Sequence, residues 1–269
     1  MKIACTGSQG QIGRRLVKMG VAPLNCDILS DFEIARELHR VNPDVILHCA
    51  AKSGIDECEK DYELALAVNV QGTAKLCHQA GDSKVILLSS DQVFDGKDGC
   101  YKETDTPNPI NSYGFSKLGA EQVARLYKGK IVRLSRCFSS LDFDTQESIE
   151  APTFIKRNYC HLDYVAYALL QFAGHFDKMP DLLHYGGQDN ISFFDFMKMF
   201  YENPELVSAR NEERPGYSPR PYNCGFDISL AKSLLPTFSA KQSIARMKDE
   251  NNDSHPLLQQ MEFDASISV

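Results

Sequence analysis

The first sixteen residues constrain everything that follows. Lys2-Ile3-Ala4-Cys5-Thr6 is a short apolar run, Gly7-Ser8-Gln9-Gly10-Gln11-Ile12-Gly13 follows it, and Arg14-Arg15-Leu16-Val17 reads as helix. A buried strand therefore enters a glycine turn and leaves it as a helix. The three glycines stand three apart. The first closes a tight turn, the second lets a diphosphate approach the backbone, and the third lets helix and strand pack closely. The helix start presents free N–H groups to anionic oxygens. In this strand–turn–helix setting the pattern predicts a dinucleotide site, with a purely structural glycine turn as the alternative.

The rhythm after the turn supports an α/β fold. Apolar strands are predicted at 1–5, 45–50, 84–88 and 130–134, with helices at Gln11–Met19, Asp31–Val41, Tyr62–His78 and Ser112–Leu126 between them. Such alternation builds a Rossmann-type, doubly wound parallel sheet. The second strand is short, because Val21–Asp27 must hold all of it. Beyond Arg133 the rhythm changes. An apolar helix is predicted at His161–Phe172, a strand at Leu182–Tyr185, and an aromatic helix at Ile191–Tyr201 whose phenylalanines read as core. A helix at Asp227–Leu235 follows the irregular loop 212–221. The expected organisation is a dinucleotide-binding core over 1–134 plus 160–175, a small C-terminal substrate-binding lobe over 135–159 and 176–235, and a polar tail over 236–269.

Composition narrows the partners. A chain of 269 residues with 43% hydrophobic and 24% charged residues is an ordinary globular protein. Its formal net charge of -7 argues against a nucleic-acid or membrane-surface partner. Nine cysteines without any CxxC spacing suggest a reducing, cytoplasmic setting and no disulfide framework. No signal peptide is read before Met1-Lys2-Ile3, and no apolar run reaches membrane-spanning length. There is no metal-ligand spacing, no Walker glycine-lysine loop and no Gly-x-Ser-x-Gly elbow.

The remaining chemistry converges on three residues. Ser90 ends the strand at 84–88, and Tyr113 and Lys117 sit at i, i+4 on the helix that follows. Strand ends of this kind are where α/β proteins place their sites. A phenol beside an ammonium gives up its proton more readily, since the cation favours the anionic form. Tyr113 is therefore the expected acid toward a carbonyl oxygen receiving hydride at its carbon, Ser90 the partner of that oxygen, and Lys117 the electrostatic helper and ribose contact. Tyr-x-x-x-Lys alone is more often a solvated helix face. His48 reads as a satisfied core histidine, and Asn69, inside a predicted helix, as a candidate to bond a neighbouring loop.

These pieces resemble the extended short-chain dehydrogenase/reductase superfamily, and within it the dTDP-4-dehydrorhamnose reductase family. The resemblance rests on Gly7-x-x-Gly10-Gln11-x-Gly13, Asn42-Pro43-Asp44-Val45-Ile46, Cys49-Ala50-Ala51 and Asp56-x-x-Glu59. It continues in Ser89-Ser90-Asp91-x-Val93-Phe94-x-Gly96, Tyr113-Gly114-x-x-Lys117-x-x-x-Glu121, His184-Tyr185-Gly186-Gly187, Arg220-Pro221 and Asp227. It covers about residues 1–235 and thins after Arg133. It implies reduction of the C4 ketone of a nucleotide-linked 4-keto-6-deoxy sugar, most simply dTDP-4-dehydro-L-rhamnose. It places a dinucleotide against Gly7, Gln9, Gly10, Gln11, Ile12, Gly13 and Arg14, then Asp27 and Ile28, then Cys49, Ala50 and Ala51, with Asn69 and Lys117 nearby. Asp91, Gln92 and Arg220 fall on the sugar nucleotide, with a surface salt bridge as the equal alternative for Arg220.

The chain departs from the family at three places: the short second strand, Gln92 where a tyrosine is usual, and the short stretch Ser135–Arg157. No complete strand precedes Asp27, the nearest candidate for an acidic ribose acceptor, and Arg14 and Arg15 follow the glycine turn. NADP(H) is therefore expected to bind in preference to NAD(H). The family's relatives also include the regulatory subunit of methionine adenosyltransferase. A weakly active or inactive NADP-binding scaffold is thus the alternative expectation, with a homodimer or a partner enzyme as possible assemblies.

Overall fold

Ile3, Ala4, Cys5 and Thr6 are all buried, which a strand can satisfy only inside a sheet covered on both faces. The computed structural model, which describes residues 1–139, 147–213 and 216–249, places them as β1 (Ile3–Thr6) near the middle of such a sheet. In chain order the core then runs α1 (Gln11–Lys18), β2 (Ala22–Pro23), α2 (Asp31–Val41), β3 (Val45–His48), α3 (Ile55–Lys60), α4 (Tyr62–Leu66), a π-helical turn over Ala67–Gln71, α5 (Gly72–Gln79), β4 (Lys84–Ser90), α6 (Ser112–Leu126) and β5 (Lys130–Leu134). Next come β6 (Cys137–Phe138), β7 (Ile149–Pro152), β8 (Lys156–Asn158), β9 (Cys160–His161), α7 (Leu162–Gly174), β10 (Leu182–Tyr185), β11 (Asn190–Ser192), α8 (Phe193–Phe200), β12 (Val207–Arg210), α9 (Ser229–Leu234) and α10 (Ala240–Lys248).

Six parallel strands form the central sheet in the order β2-β1-β3-β4-β5-β10. Alternate residues serve opposite faces. Ile3, Cys5, Val45, Leu47, Ile86 and Leu88 pack with α1 and α7, while Ala4, Ile46 and Val85 pack with Leu24, Ile34 and Leu76. Local chemistry sets the helix ends. Ser30 caps α2 by accepting the Glu33 N–H, and Asn42, at φ 48, closes it in the left-handed region. Asn111 caps α6 by accepting the Gly114 N–H at 2.8 Å. Outside the sheet, Phe138, Tyr159, Phe196, Phe200 and Val207 form a separate hydrophobic cluster, with Tyr159 and Phe196 stacked at 4.1 Å.

The structure corrects three expectations. The predicted helix Tyr62–His78 is interrupted by the π-helical turn that holds Asn69. Residues 182–185 were assigned to the lobe, yet β10 pairs in parallel with β5 as the edge of the central sheet. The stretch from 236 is not all tail, since Ser239 and Gln242 form a reciprocal capping box and α10 buries Ile244 and Arg246. The remainder of that tail, residues 250–269, lies outside the described residues, as do 140–146 of the acidic stretch and Arg214-Pro215 of the loop.

Helix α6 is fixed to the sheet by charge. Glu121 is fully buried and accepts from Arg133 of β5 through Nε at 2.8 Å and Nη2 at 2.7 Å, and from Ser89 of β4 at 2.6 Å. Arg133 reaches on to His184 Nε2 of β10 at 3.2 Å, and His184 Nδ1 meets the Tyr101 carbonyl. Burial, and then the neighbouring Arg133, push His184 down to about 3, so the ring is neutral and can accept from the guanidinium. Replacing Glu121 by Gln leaves Arg133 as a buried, uncompensated cation. We expect Glu121→Gln to cost about 3–5 kcal/mol of stability, read as a lower midpoint in urea unfolding. A midpoint equal to wild type would show that the pair does not hold α6.

Candidate active site

The glycine turn is shaped from within by its own packing. Gly7 has φ +64, and a Cβ there would stand 2.7 Å from Ala50 N; a Cβ on Gly13 would stand 2.2 Å from Gly7 O. Gly10 donates to Gly7 O at 2.9 Å and is exposed on its outer side. Helix α1 has no side-chain cap and no acidic residue in its first turn. A packed inner side, an open outer side and an uncapped helix start fit a diphosphate. Ala50 and Ala51, half-buried after β3, form the facing edge. Thr6 links the two, since its Oγ1 accepts the Ala50 N–H at 3.1 Å and lies 2.7 Å from His48 Nδ1. His48 Nε2 meets Thr73, so both ring nitrogens are satisfied, and burial holds the ring neutral at about 3. It is a core histidine, as its sequence context suggested.

Ser90 and Tyr113 meet at the carboxyl end of the sheet, with Lys117 one helical turn beyond Tyr113 on α6. Register pairing sets Ser90 beside Leu134. Its Oγ accepts the Gln92 N–H at 3.2 Å and also hydrogen-bonds the Tyr113 phenol. Gly114 lets α6 approach this closely, because a Cβ there would lie 2.1 Å from Gln92 O. The electrostatics differ from the expectation of a phenol acidified by its lysine. Burial pushes the Tyr113 phenol above its ordinary value, against the Ser90 hydrogen bond, and the charge of Asp91 adds to that rise. Burial likewise draws Lys117 down to about 8, although Glu121 works against it. Among the described residues nothing hydrogen-bonds the Lys117 ammonium, which is 3% exposed. The pair is thus a protonated phenol and a marginal cation, a proton donor with a neighbour ready for a further polar partner.

Asp91 and Gln92 lie in one short network. Gln92 Nε2 donates to Asp91 Oδ1 at 2.9 Å, and Asn111 Nδ2 donates to Gln92 Oε1 at 3.2 Å and to the Pro219 carbonyl at 3.1 Å. Arg157 pairs with Asp91 at 3.1 Å. Arg220 pairs with Asp56 of α3 at 2.6 Å and lies over the Tyr217 ring. This pair, with Ser218, holds the Asp56 carboxyl well below the usual range. These elements border a cleft of about 1130 Å³ lined by Gln92, Arg136, Phe154, Arg157, Tyr159, Arg210, Tyr217 and residues 218–223, among others.

With this geometry in view, a family model described as RmlD substrate binding domain matches residues 1–251. The chain belongs to this family. Its fold is close to that of a crystal structure described as a hypothetical dTDP-4-dehydrorhamnose reductase from Sulfolobus tokodaii, at 28% identity and TM-score 0.78, covering 88% of this chain and 96% of that one. A dTDP-4-dehydrorhamnose reductase from Bacillus anthracis, solved in complex with NADP, superposes with TM-score 0.82 at 24% identity over 93% of this chain and all of that one, a likeness of fold. Among sequences, dTDP-4-dehydrorhamnose reductase of Aggregatibacter actinomycetemcomitans is 26% identical over 85% of this chain and 91% of its own length. Methionine adenosyltransferase 2 subunit beta of Danio rerio is 35% identical over 137 residues, 45% of this chain and only 42% of that subunit.

Not every residue expected to touch ligand faces the RmlD-type cleft or the turn. The Asn69 amide is consumed by its neighbours: Oδ1 accepts the Lys52 N–H at 2.7 Å, and Nδ2 donates to Lys52 O and Ser116 Oγ. It shapes the loop after β3. Asp27 is exposed and accepts the Leu29 N–H in a local turn, while Ile28 is buried and faces Gly72. Cys49 is half-buried, and burial raises its thiol well above the usual value. Gln9, Gln11 and Arg14 are exposed around the turn, and Ile12 is half-buried beside it. Arg15, the second arginine after the glycine turn, pairs with Asp163 of α7 at 2.9 Å. Asn111, Ser135 and Arg157 went unmarked in the sequence. An asparagine just before a helix was a readable cap for the first; the others act through partners distant in the chain.

Proposed function

We propose that this chain is an NADP(H)-dependent reductase of the C4 ketone of a nucleotide-linked 4-keto-6-deoxy sugar, most simply dTDP-4-dehydro-L-rhamnose. The meeting of Ser90 with Tyr113, with Lys117 one turn further along α6, carries this reading. When bound, the dinucleotide would supply the hydride. Gly7, Gly10, Gly13, Ala50 and Ala51 suit its diphosphate, and Lys117 suits its ribose. Tyr113 delivers a proton to the carbonyl oxygen, and its raised value keeps that proton in place until the oxygen becomes anionic. Ser90 holds the same oxygen, and Lys117 stabilises the phenolate left behind. The cleft lining also carries Lys97, Arg136 and Arg210, while Arg157 and Arg220 are held by Asp91 and Asp56. Nine free thiols agree with a cytoplasmic, reducing setting, and among the described residues no helix is long and apolar enough to cross a membrane.

The preference for NADP(H) rests on Arg14. It is exposed and has no ion-pair partner among the described residues, whereas Arg15 is engaged by Asp163. The second reading, a binding subunit with little turnover, draws on the 35% identity to the zebrafish methionine adenosyltransferase subunit and on Gln92. A pull-down that recovers a stoichiometric larger enzyme, without ketosugar reduction, would favour it.

Three outcomes are expected. In an NADPH-oxidation assay against a panel of 4-keto nucleotide sugars, Tyr113→Phe lowers kcat by about 10²–10⁴-fold with nearly unchanged cofactor binding. Activity on no member of the panel rejects the substrate class, and full activity in the variant rejects the mechanism. In a fluorescence titration NADPH binds more tightly than NADH, and Arg14→Ala removes most of the difference; equal or tighter NADH binding refutes the preference. Reduction should be level below about pH 8 and fall above it, as Lys117, with its value near 8, loses the charge that stabilises the phenolate. A rate that stays level to about pH 9.5, well past that value, removes the charge of Lys117 from the mechanism.

A further inference from the structure

The turn at Ser90–Gln92 and the loop at Arg220–Tyr222 come from opposite ends of the chain, and one side chain grips both. Arg157 of β8 is buried, at 6% exposure. Its Nε lies 3.1 Å from Asp91 Oδ2. Its Nη2 donates to the Pro221 carbonyl at 2.8 Å, and its Nη1 to the Tyr222 carbonyl at 3.0 Å and the Lys156 carbonyl at 2.6 Å. All three guanidinium nitrogens are used, so the group is built into the wall and not held ready for a ligand. The planar fork matters here, because a carboxylate lies along one edge and two main-chain carbonyls of the loop along another. Asn111 makes a second, uncharged bridge from Gln92 to Pro219.

We propose that Arg157 is a positioning residue of this site: it registers the Ser90–Asp91–Gln92 turn against the Pro221–Tyr222 wall of the cleft, so that a ketone lodged on that wall meets Ser90 and Tyr113. The catalytic half of this proposal rests on the reductase reading above; the registration itself does not. Tyr113 and Ser90 belong to the central sheet and its helix, whereas Pro221 and Tyr222 follow the lobe. A substrate spanning both halves is aligned only if the halves are held in register; Arg157 ties the loop to the Ser90–Gln92 turn, and the Arg220–Asp56 pair ties the same loop to α3.

Three variants test it. Arg157→Lys keeps the charge, but one ammonium cannot hold a carboxylate and two carbonyls in a plane. Arg157→Gln removes the cation. Asp91→Asn/Arg157→Gln removes both charges, so that a lone buried carboxylate does not confuse the result with misfolding. The lysine variant is expected to bind NADPH as wild type does and to lose about 10²-fold in kcat, with a smaller change in KM. Arg157→Gln and the double variant should likewise keep NADPH binding and lose kcat, with KM changed less. Amide hydrogen exchange needs no substrate. It should quicken together in peptides covering 88–94 and 218–224 of Arg157→Gln, by about tenfold or more, and stay unchanged over 3–16. Wild-type kcat in Arg157→Lys, or a KM that rises as much as kcat falls, overturns the positioning role. Exchange unchanged in either of the two peptides overturns the registration. If wild type reduces no ketosugar, the reductase reading fails and the exchange experiment alone decides.

Discussion

One buried ion pair governs where the chemistry can happen. Glu121 and Arg133 are both almost wholly out of water, and they join α6 to the central strands through two short hydrogen bonds. Charges in such a place are costly unless each is matched. Here the match is extended by Ser89, which gives Glu121 a third donor, and by neutral His184, which accepts from Arg133. The consequence is geometric. Glu121 lies one helical turn beyond Lys117 and two beyond Tyr113, so fixing it against β4 and β5 fixes the azimuth of all three. Tyr113 and Lys117 then face the end of β4 where Ser90 stands. The same carboxylate partly offsets the effect of burial on Lys117.

The close approach of α6 has a second cause. Gly114 carries no Cβ, and Gln92 O occupies the place where one would be. Asn111 spends its carbonyl oxygen on the Gly114 N–H and its amide on Gln92 and Pro219. The first turn of the helix, the turn after β4 and the wall of the cleft are therefore set by one asparagine, one glycine and one glutamine. Burial of Tyr113 follows from that packing, and burial is what raises its phenol. A phenol that keeps its proton is suited to act as an acid, the role proposed for Tyr113 above.

Much of this was legible in the sequence because it is local. The glycine turn reads from spacing alone, and its packing against Ala50 is what spacing implies. Strands β3, β4 and β5 read from apolar runs, and α6 is read at both ends, Ser112 and Leu126. What was not legible depends on contacts between distant segments. Nothing near Arg157 indicates that it will meet Asp91 and Pro221. The two-residue β2 is a strand only because β1 accepts it in parallel. The π-helical turn in the predicted helix 62–78 keeps a helical hydrophobic pattern, and only the fit of Asn69 between Lys52 and Ser116 shows why the backbone widens there. Strand β10 looked like lobe because it follows the change of rhythm, yet its pairing with β5 is decided by the sheet's open edge. The expected acidification of Tyr113 by Lys117 failed for a similar reason: a sequence gives spacing between charges, but the depth of burial that outweighs them appears only in three dimensions.

The split between a well-determined chemical centre and a less determined substrate wall also has a physical origin. Ser90, Tyr113 and Lys117 sit on regular elements whose positions the core enforces. The opposite wall is built from loops around Phe154, Tyr217 and Tyr222, held by side chains such as Arg157 and Arg220. Gln92 stands where the two meet. Its amide is already engaged at both ends, by Asp91 and by Asn111, so it gives the wall shape and offers a ligand little new hydrogen-bonding capacity. A tyrosine at that position would bring a ring and a hydroxyl to the same place. The change therefore acts on the shape of the cleft wall, while Tyr113 and the glycine turn are untouched by it. Membership of the family accordingly fixes the type of reaction more firmly than the identity of the sugar, because the reaction depends on buried, regular elements and the sugar on a wall assembled from long-range contacts.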